Sequence, residues 1–205
     1  MELYFAPLSC SLASRIALYE AGLDAEVHQV TLMTKTLADG RDYLAINPKG
    51  QVPALRLDDG EILTEGPAVL QYIADQAPAG KLGPAAGTAA RYKLQQWLNY
   101  IATEVHKAVF YAMFNPASPP DAKAFARDVL LPARYDFLSA HLKDRDHLLD
   151  AFSVADAYLV TTLNWAKPAG VDIAKWPVLA AYYQRLARRP AVAKAMSEEL
   201  ALRAA

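Results

Sequence analysis

The sequence predicts two domains of different construction: an α/β domain over residues 1–80 and an all-α helical domain over 88–205, with 81–87 as linker. Three observations predict this. Strand-like and helix-like stretches alternate through residues 1–80, strand signals stop near residue 88, and the stretch APAGKLGPAAG (77–87), rich in Gly, Pro and Ala, lies at the change. A chain of 205 residues, 54% hydrophobic and 21% charged, is long and apolar enough to bury a sizeable core.

The elements follow in order. ELYFA (2–6) is short, apolar and aromatic, closed by Pro7, as a strand should be. SLASRIALYEAGL (11–23) spaces Leu12, Ile16 and Leu23 as a helix, with Gly22 as its stop. EVHQVTL (26–32) alternates with β-branched residues and reads as a strand, whereas 33–50, polar and ending in INPKG, reads as loop. QVPALRL (51–57), the turn DDG (58–60) and EILT (61–64) form a hairpin, and a helical run extends from Glu65 to about Ala77. The order β-α-β-loop-β-β-α implies a small mixed sheet covered by helices. Beyond residue 88 helical periodicity is interrupted at Pro116, Pro119 and Pro120, then at Pro168, Gly170 and Pro177. FSVADAYL (152–159) is a capping box, with Ser153 as N-cap and Asp156 at the third helical position, and opens a buried structural helix.

Composition excludes several classes of function. A net charge of −1 and a pI near 6.4 supply no electrostatic drive toward nucleic acid or an anionic membrane. No apolar run reaches the length of a membrane span, and MELYFAPLSC lacks the basic-then-apolar pattern of a signal peptide. One cysteine cannot close an internal disulfide, and a metal site would lack a second sulfur ligand, so no metal is expected and a reducing cytoplasm is the simplest compartment.

That cysteine, Cys10, falls between a strand and a helix. Helix N-terminal N–H groups and the positive end of the macrodipole would stabilise its thiolate and lower its pKa. A dithiol oxidoreductase would carry a second cysteine at position 13, which is Ala13 here, so the natural partner of Cys10 is an external thiol. Ser9 and Ser11 could hydrogen-bond the sulfur. The competing reading is a small buried filler, since free cysteine is among the most buried residue types.

Two further segments are candidate ligand clamps. In QVPAL (51–55) a cis Val52–Pro53 bond would present the Val52 N–H and C=O to an extended peptide, whereas a trans proline would mark an ordinary edge strand. In TEGPAVL (64–70) Glu65 lies at a helix entrance beside free N–H groups, so the two together could hold the amine and carboxylate of a zwitterion; an ordinary acidic first turn is the alternative. On RYKLQQWLNYIATEVHKAVFYAMF (91–114) an apolar face of Ile101, Val105, Ala108 and Ala112 opposes a stripe of Asn99, Thr103, His106 and Phe110, with Lys107 beside it. The stripe either lines a cleft toward the first domain or is a solvated face. Glu104, nearer the apolar edge, requires a partner on another element or another subunit.

LSCSLASRIALYEAGL, NPKGQVPAL, LTEGPAVLQYIAD and FSVADAYL, in this order and at matching spacing, resemble the bacterial beta class of glutathione transferases over essentially the whole chain. The resemblance implies a thioredoxin-like, glutathione-binding first domain, a helical second domain and a homodimer. It further implies glutathione as co-substrate, a cytoplasmic role in detoxification, and Cys10 beside the glutathione sulfur, able to form a mixed disulfide with it. Ser11, Lys35, Gln51, Val52, Glu65 and Gly66 match glutathione contacts, and Val52–Pro53 matches a cis-proline turn. Asn99, Thr103, Glu104, His106 and Lys107 match residues that line the sulfur side or reach across the dimer. The chain departs from the pattern at Gly66, often serine there, in the stretch FAPLSC, which lacks a usual glycine, and at Ser14 and Arg15, the latter adding positive charge near the thiol.

The expected activity is conjugation of reduced glutathione to small hydrophobic electrophiles, with Cys10, Ser11 and His106 as catalytic candidates. The walls of the electrophile pocket are expected from residues 5–9, 33–40 and 103–115. Thiol–disulfide reduction through a Cys10–glutathione mixed disulfide, reductive or hydrolytic dehalogenation at the same site, and a non-catalytic ligand-binding role are the alternatives.

Overall fold

The computed structural model describes residues 1–204. In β1 (Glu2–Phe5) side chains alternate between sheet faces, so Leu3 and Phe5 enter one core while Tyr4 enters another, and all three are buried. Helix α1 (Leu12–Ala21) ends at Gly22, whose φ of 72° permits the left-handed cap in which Leu23 N–H donates to Leu18 C=O at 3.0 Å. Next come β2 (Glu26–Thr31) and a two-residue β3 (Thr36–Leu37), then the hairpin β4 (Ala54–Arg56) and β5 (Ile62–Thr64), and α2 (Gly66–Gln76). The sheet order is β3-β2-β1-β4-β5; β1 and β2 are parallel and every other neighbour is antiparallel.

Residues 33–50, expected to be featureless loop, contain β3 and a 3-10 turn at Tyr43–Ala45. Their role is to cover the second sheet face: Leu37 and Tyr43 pack with Tyr4, Ala6, Val30, Val52 and Ala54. The other face is covered by α1 and α2, and this core continues without a break into the helical region.

The helical region begins with α3 (Ala89–Tyr100), which runs on as a π-helix over Ile101–Tyr111 and ends in α4 (Ala112–Phe114). It continues through α5 (Pro120–Phe125), a second π segment (Ala126–Leu130) and α6 (Leu131–Leu142). Then follow α7 (Val154–Leu163), α8 (Pro177–Ala187) and α9 (Pro190–Ala204). Helix α7 is buried along its whole length and opens with the Ser153/Asp156 capping box. Asp156 also accepts from Leu148 N–H at 2.9 Å and Tyr182 O–H at 2.7 Å, which satisfies a wholly buried carboxylate. The segment between α2 and α3 is docked: Leu82 is buried, its carbonyl accepts from Val154 N–H, and a Cβ on Gly83 would lie 2.8 Å from Leu94 Cδ2. Arg91 locks the same corner with two hydrogen bonds to Asp75, 2.8 and 2.6 Å.

The stripe read from the sequence on 99–110 assumes 3.6 residues per turn, and the π segment does not keep that pitch. Phe110 is wholly buried with Val105 and Val109 in the core, whereas Asn99 and Thr103 are exposed and His106 is half-buried.

Candidate functional site

Three non-glycine residues among those described have left-handed backbone: Leu8 (φ 58°), Lys35 (φ 59°) and Glu65 (φ 71°). Such conformations cost a side-chain-bearing residue about 1–3 kcal/mol each and persist where the surroundings enforce them. Each lies in a loop at one end of the sheet: the β1–α1 loop, the loop entering β3, and the β5–α2 junction.

Cys10 occupies the first of these loops and is half-buried. Its Sγ lies 3.0 Å from the Val52 carbonyl oxygen, to which the thiol donates. The Val52–Pro53 bond is cis, and the Val52 N–H has no acceptor among the described residues. Burial pushes the Cys10 thiol up to about 11; Lys107, the N–H groups of Cys10 and Ser11 and the Ser9 hydroxyl pull the other way and are outweighed. The thiolate expected from the helix entrance is therefore corrected: desolvation defeats the dipole, and a thiol that donates to a carbonyl keeps its proton.

Ser11 also differs from expectation. It is the N-cap of α1 but is wholly buried, and its hydroxyl accepts from Ala6 N–H (3.1 Å) and donates to Ala6 C=O (3.2 Å), closing the β1–α1 turn. The hydroxyl beside the sulfur belongs to Ser9; Ser11 offers its main-chain N–H. Arg15 adds no charge at the thiol. It turns to α9, donates to Glu198 at 2.7 Å, and lies over the Phe5 ring at 4.9 Å.

The second clamp sits across the loop from Cys10. Gln51 is exposed, but its carbonyl is fixed by Tyr43 O–H (2.8 Å) and Asn47 Nδ2 (2.7 Å). Lys35 Nζ donates to Gly50 C=O at 2.8 Å. Glu65 caps α2 through its backbone, and its exposed carboxylate pairs with Lys49 Nζ, which also donates to Thr64 Oγ1 at 2.8 Å. Lys49 was missed in the sequence, where it passes for a turn lysine.

His106 joins this loop through its aromatic neighbours. Its Nδ1 lies 2.7 Å from Tyr158 Oη, and its ring packs edge-on against Trp165 at 5.0 Å. Burial, then Lys107, lowers its pKa to about 4, so the imidazole is neutral. Tyr158 is held well above the ordinary phenol value by burial first, with Cys10 and Glu65, which would repel a phenolate, adding to the rise, and a Cβ on Gly66 would stand 3.9 Å from its hydroxyl. Tyr158 thus links His106, Gly66 and the Cys10 loop, and Trp165 Nε1 donates to Leu8 C=O at 2.9 Å. Neither Tyr158 nor Trp165 carried a signal in the sequence beyond apolarity.

Of the remaining candidates on this helix, only Lys107 bears on the thiol, through its charge. Thr103 Oγ1 donates to Asn99 C=O at 3.0 Å, back along its own helix. Glu104 finds its partner within the chain, accepting from Arg134 Nη2 at 2.7 Å, so its charge needs no second subunit. Lys107 is exposed, with Nζ 4.7 Å from the Tyr111 ring centre. Among the described residues no cluster of His, Cys, Asp and Glu could hold a metal ion, and no helix is long and apolar enough to cross a membrane.

Residues 9–76 match the model of the glutathione S-transferase N-terminal domain, and 101–190 that of the C-terminal domain. The chain is 45% identical over 200 residues to glutathione S-transferase GstA of Escherichia coli O157:H7, covering 97% of this chain and 98% of that one. Among solved structures, a sphingomonad glutathione S-transferase complexed with glutathione superposes with a TM-score of 0.92 at 46% identity, over 97% of this chain and 98% of that one. The beta-class glutathione S-transferase of Sphingomonas chungbukensis superposes with a TM-score of 0.93 at 43% identity, with the same coverage.

Proposed function

The chain belongs to the glutathione S-transferase family, and from that premise we propose how its own residues hold glutathione and direct the sulfur. The protein is a glutathione transferase with glutathione as co-substrate. The observation that carries the proposed site is the Val52 main chain: an unpaired N–H and a carbonyl occupied only by the Cys10 thiol, at the end of a sheet. An extended γ-glutamyl tripeptide pairs with Val52 as a short added strand. Glu65, with Lys49 beside it, takes the ammonium end, and the Gly66 N–H that opens α2 takes its carboxylate, since Pro67 has no N–H and those of Ala68 and Val69 donate to the Glu65 carbonyl. Lys35 and Gln51 flank the other carboxylate end.

The glutathione sulfur then lies at Cys10. Because Cys10 keeps its proton, it serves as a hydrogen-bond donor to the glutathione thiolate rather than as a nucleophile. The N–H groups at the α1 entrance and the Lys107 charge stabilise the same anion, and neutral His106 accepts a hydrogen bond from the glutathione thiol and relays the released proton to solvent, since it does not keep a proton near neutral pH. The thiolate attacks an electrophilic carbon; a new S–C bond forms, and the leaving group departs with the bonding pair or the carbanion is protonated. A thiol at about 11 argues against exchange through a Cys10 thiolate as the main reaction.

The domain boundaries at residues 80 and 88, the cytoplasmic setting and the role in detoxification belong to the same proposal. So does a homodimer: Tyr92 and Phe137 are 65% and 50% exposed on the helical region, an apolar surface suited to a second copy. Asn99 and Thr103 lie on the same length of helix and are assigned to the sulfur side in the assembled protein. The test is retention on immobilised glutathione followed by turnover of chlorodinitrobenzene with reduced glutathione; retention without turnover would leave a binding protein, and neither would remove the proposal.

A further inference from the structure

Glu199 on α9 is a buried carboxylate that the transferase chemistry does not use. It is 0% exposed. Its Oε2 accepts the Leu8 N–H at 2.6 Å, while Oε1 has no hydrogen-bond partner among the described residues; the nearest cation, Arg15 Nη1, is 3.8 Å away and itself unpartnered. Leu8 is one of the three left-handed residues, and its carbonyl accepts from Trp165 Nε1. Both polar groups of Leu8 are therefore gripped by the helical region, two residues before Cys10.

We propose that Glu199 is a positioning residue for Cys10: its ionised carboxylate clamps the Leu8 N–H, fixes the left-handed turn, and holds the Cys10 thiol on the Val52 carbonyl, so that exposure of the sulfur follows the ionisation of Glu199. The proposal rests on Cys10 lying in the glutathione site only for its consequence, not for its geometry. Charge-assisted bonds to N–H groups are roughly twice as strong as neutral ones, so protonating Glu199 loosens the clamp without abolishing it. Burial raises Glu199 to about 7; Leu8 N–H and Arg15 oppose the rise and Glu198 adds to it. The other groups facing this contact are Tyr19, which donates to Glu198, and Lys194, paired with Glu198 at 3.1 Å. Keeping an ionisable carboxylate in a dry contact costs stability near neutral pH, the kind of expense that persists where it serves a site.

Cys10 is the sole thiol, so its alkylation by iodoacetamide reports on this loop alone and needs no glutathione. The measurement is the ratio of alkylation rates, native protein to Glu199→Gln, from about pH 5.5 to about 8.5, which cancels the thiol's own titration. The glutamine can still accept from Leu8 but carries no charge. The ratio should fall about threefold or more as pH rises through about 7, as the native clamp closes. A flat ratio in a folded variant overturns the proposal. Should the variant fail to fold, the Leu8 amide shift of the native protein, followed by NMR, decides: it moves with a single carboxylate titration raised above the ordinary glutamate range, or the proposal falls. If both readouts succeed while chlorodinitrobenzene turnover is absent, the transferase site is at fault and the clamp stands.

Discussion

The Cys10 thiol donates to the Val52 carbonyl across 3.0 Å, joining the helix entrance to the segment that leads into β4. Burial and this bond favour the protonated form, and the thiol sits at about 11. The ultraviolet thiolate absorbance of the native protein at pH 8 should therefore match that of Cys10→Ala. Intact mass after treatment with oxidised glutathione should show at most one adduct, absent in Cys10→Ala and slow to form. A thiolate step below pH 9 would contradict the structure.

Replacing His106 with Ala should lower kcat while leaving glutathione affinity nearly unchanged, because a neutral base matters most as the proton leaves sulfur. A loss of about tenfold or more is expected. The folded pKa of about 4 lies below the ordinary value of 6.5. The unfolded chain thus binds the extra proton first on acidification. The His106 contribution to stability is complete above 6.5 and is lost as pH falls toward 4, so acid unfolding of His106→Phe should show a shallower slope across that window. An unchanged kcat removes the histidine from the reaction.

Glu65→Gln should weaken glutathione binding about tenfold, the cost of a charged hydrogen bond left unmade. It should barely move the melting temperature, since the Lys49–Glu65 pair is exposed on both sides, and such pairs contribute about 0–1 kcal/mol. Calorimetric titration separates the two effects; equal affinity would take Glu65 out of the site.

Much of this site was legible where the signal is local. Gly22, the DDG turn and the Ser153/Asp156 box mark element ends through their own backbone needs, and each stands where it was expected. The failures come from partners far along the chain. A strand as short as Thr36–Leu37 exists only because β2 supplies its ladder, so no run of apolar residues announces it. Ser11 and Arg15 were given to the thiol because the sequence does not reveal that Ala6 and α9 claim them first. Glu198 and Glu199 are adjacent acids that nothing local in the sequence distinguishes; α1 packs on one side of α9 and buries the second.

Glu104 supplies a test of the assembly. Its pair with Arg134 joins the π segment to α6 within one chain, so Glu104→Ala should leave glutathione affinity within about twofold of native, as expected of a partly exposed pair. Light scattering should still return twice the 22.4 kDa of the chain. A large loss of affinity would restore the carboxylate to a shared site, and a fully active monomer would remove the homodimer.

The departure at Gly66 can be reversed. Glycine is not required by the backbone, because Gly66 lacks a positive φ, and an added Cβ would meet nothing nearer than the Tyr158 hydroxyl at 3.9 Å. A serine hydroxyl would stand beside the one unpaired N–H that opens α2, that of residue 66 itself, where an anionic carboxylate is already favoured by the helix end. One added hydrogen bond contributes about 0.5–1.5 kcal/mol, so Gly66→Ser should bind glutathione about 2–10 times more tightly. The gain should appear in the dissociation constant and in KM for glutathione. It should not appear in kcat at saturation, because a contact to the carboxylate is equal in ground and transition states. Weaker binding in a variant of native melting temperature would mean that the ligand carboxylate does not sit at the start of α2, and the orientation proposed for the tripeptide would have to be reversed.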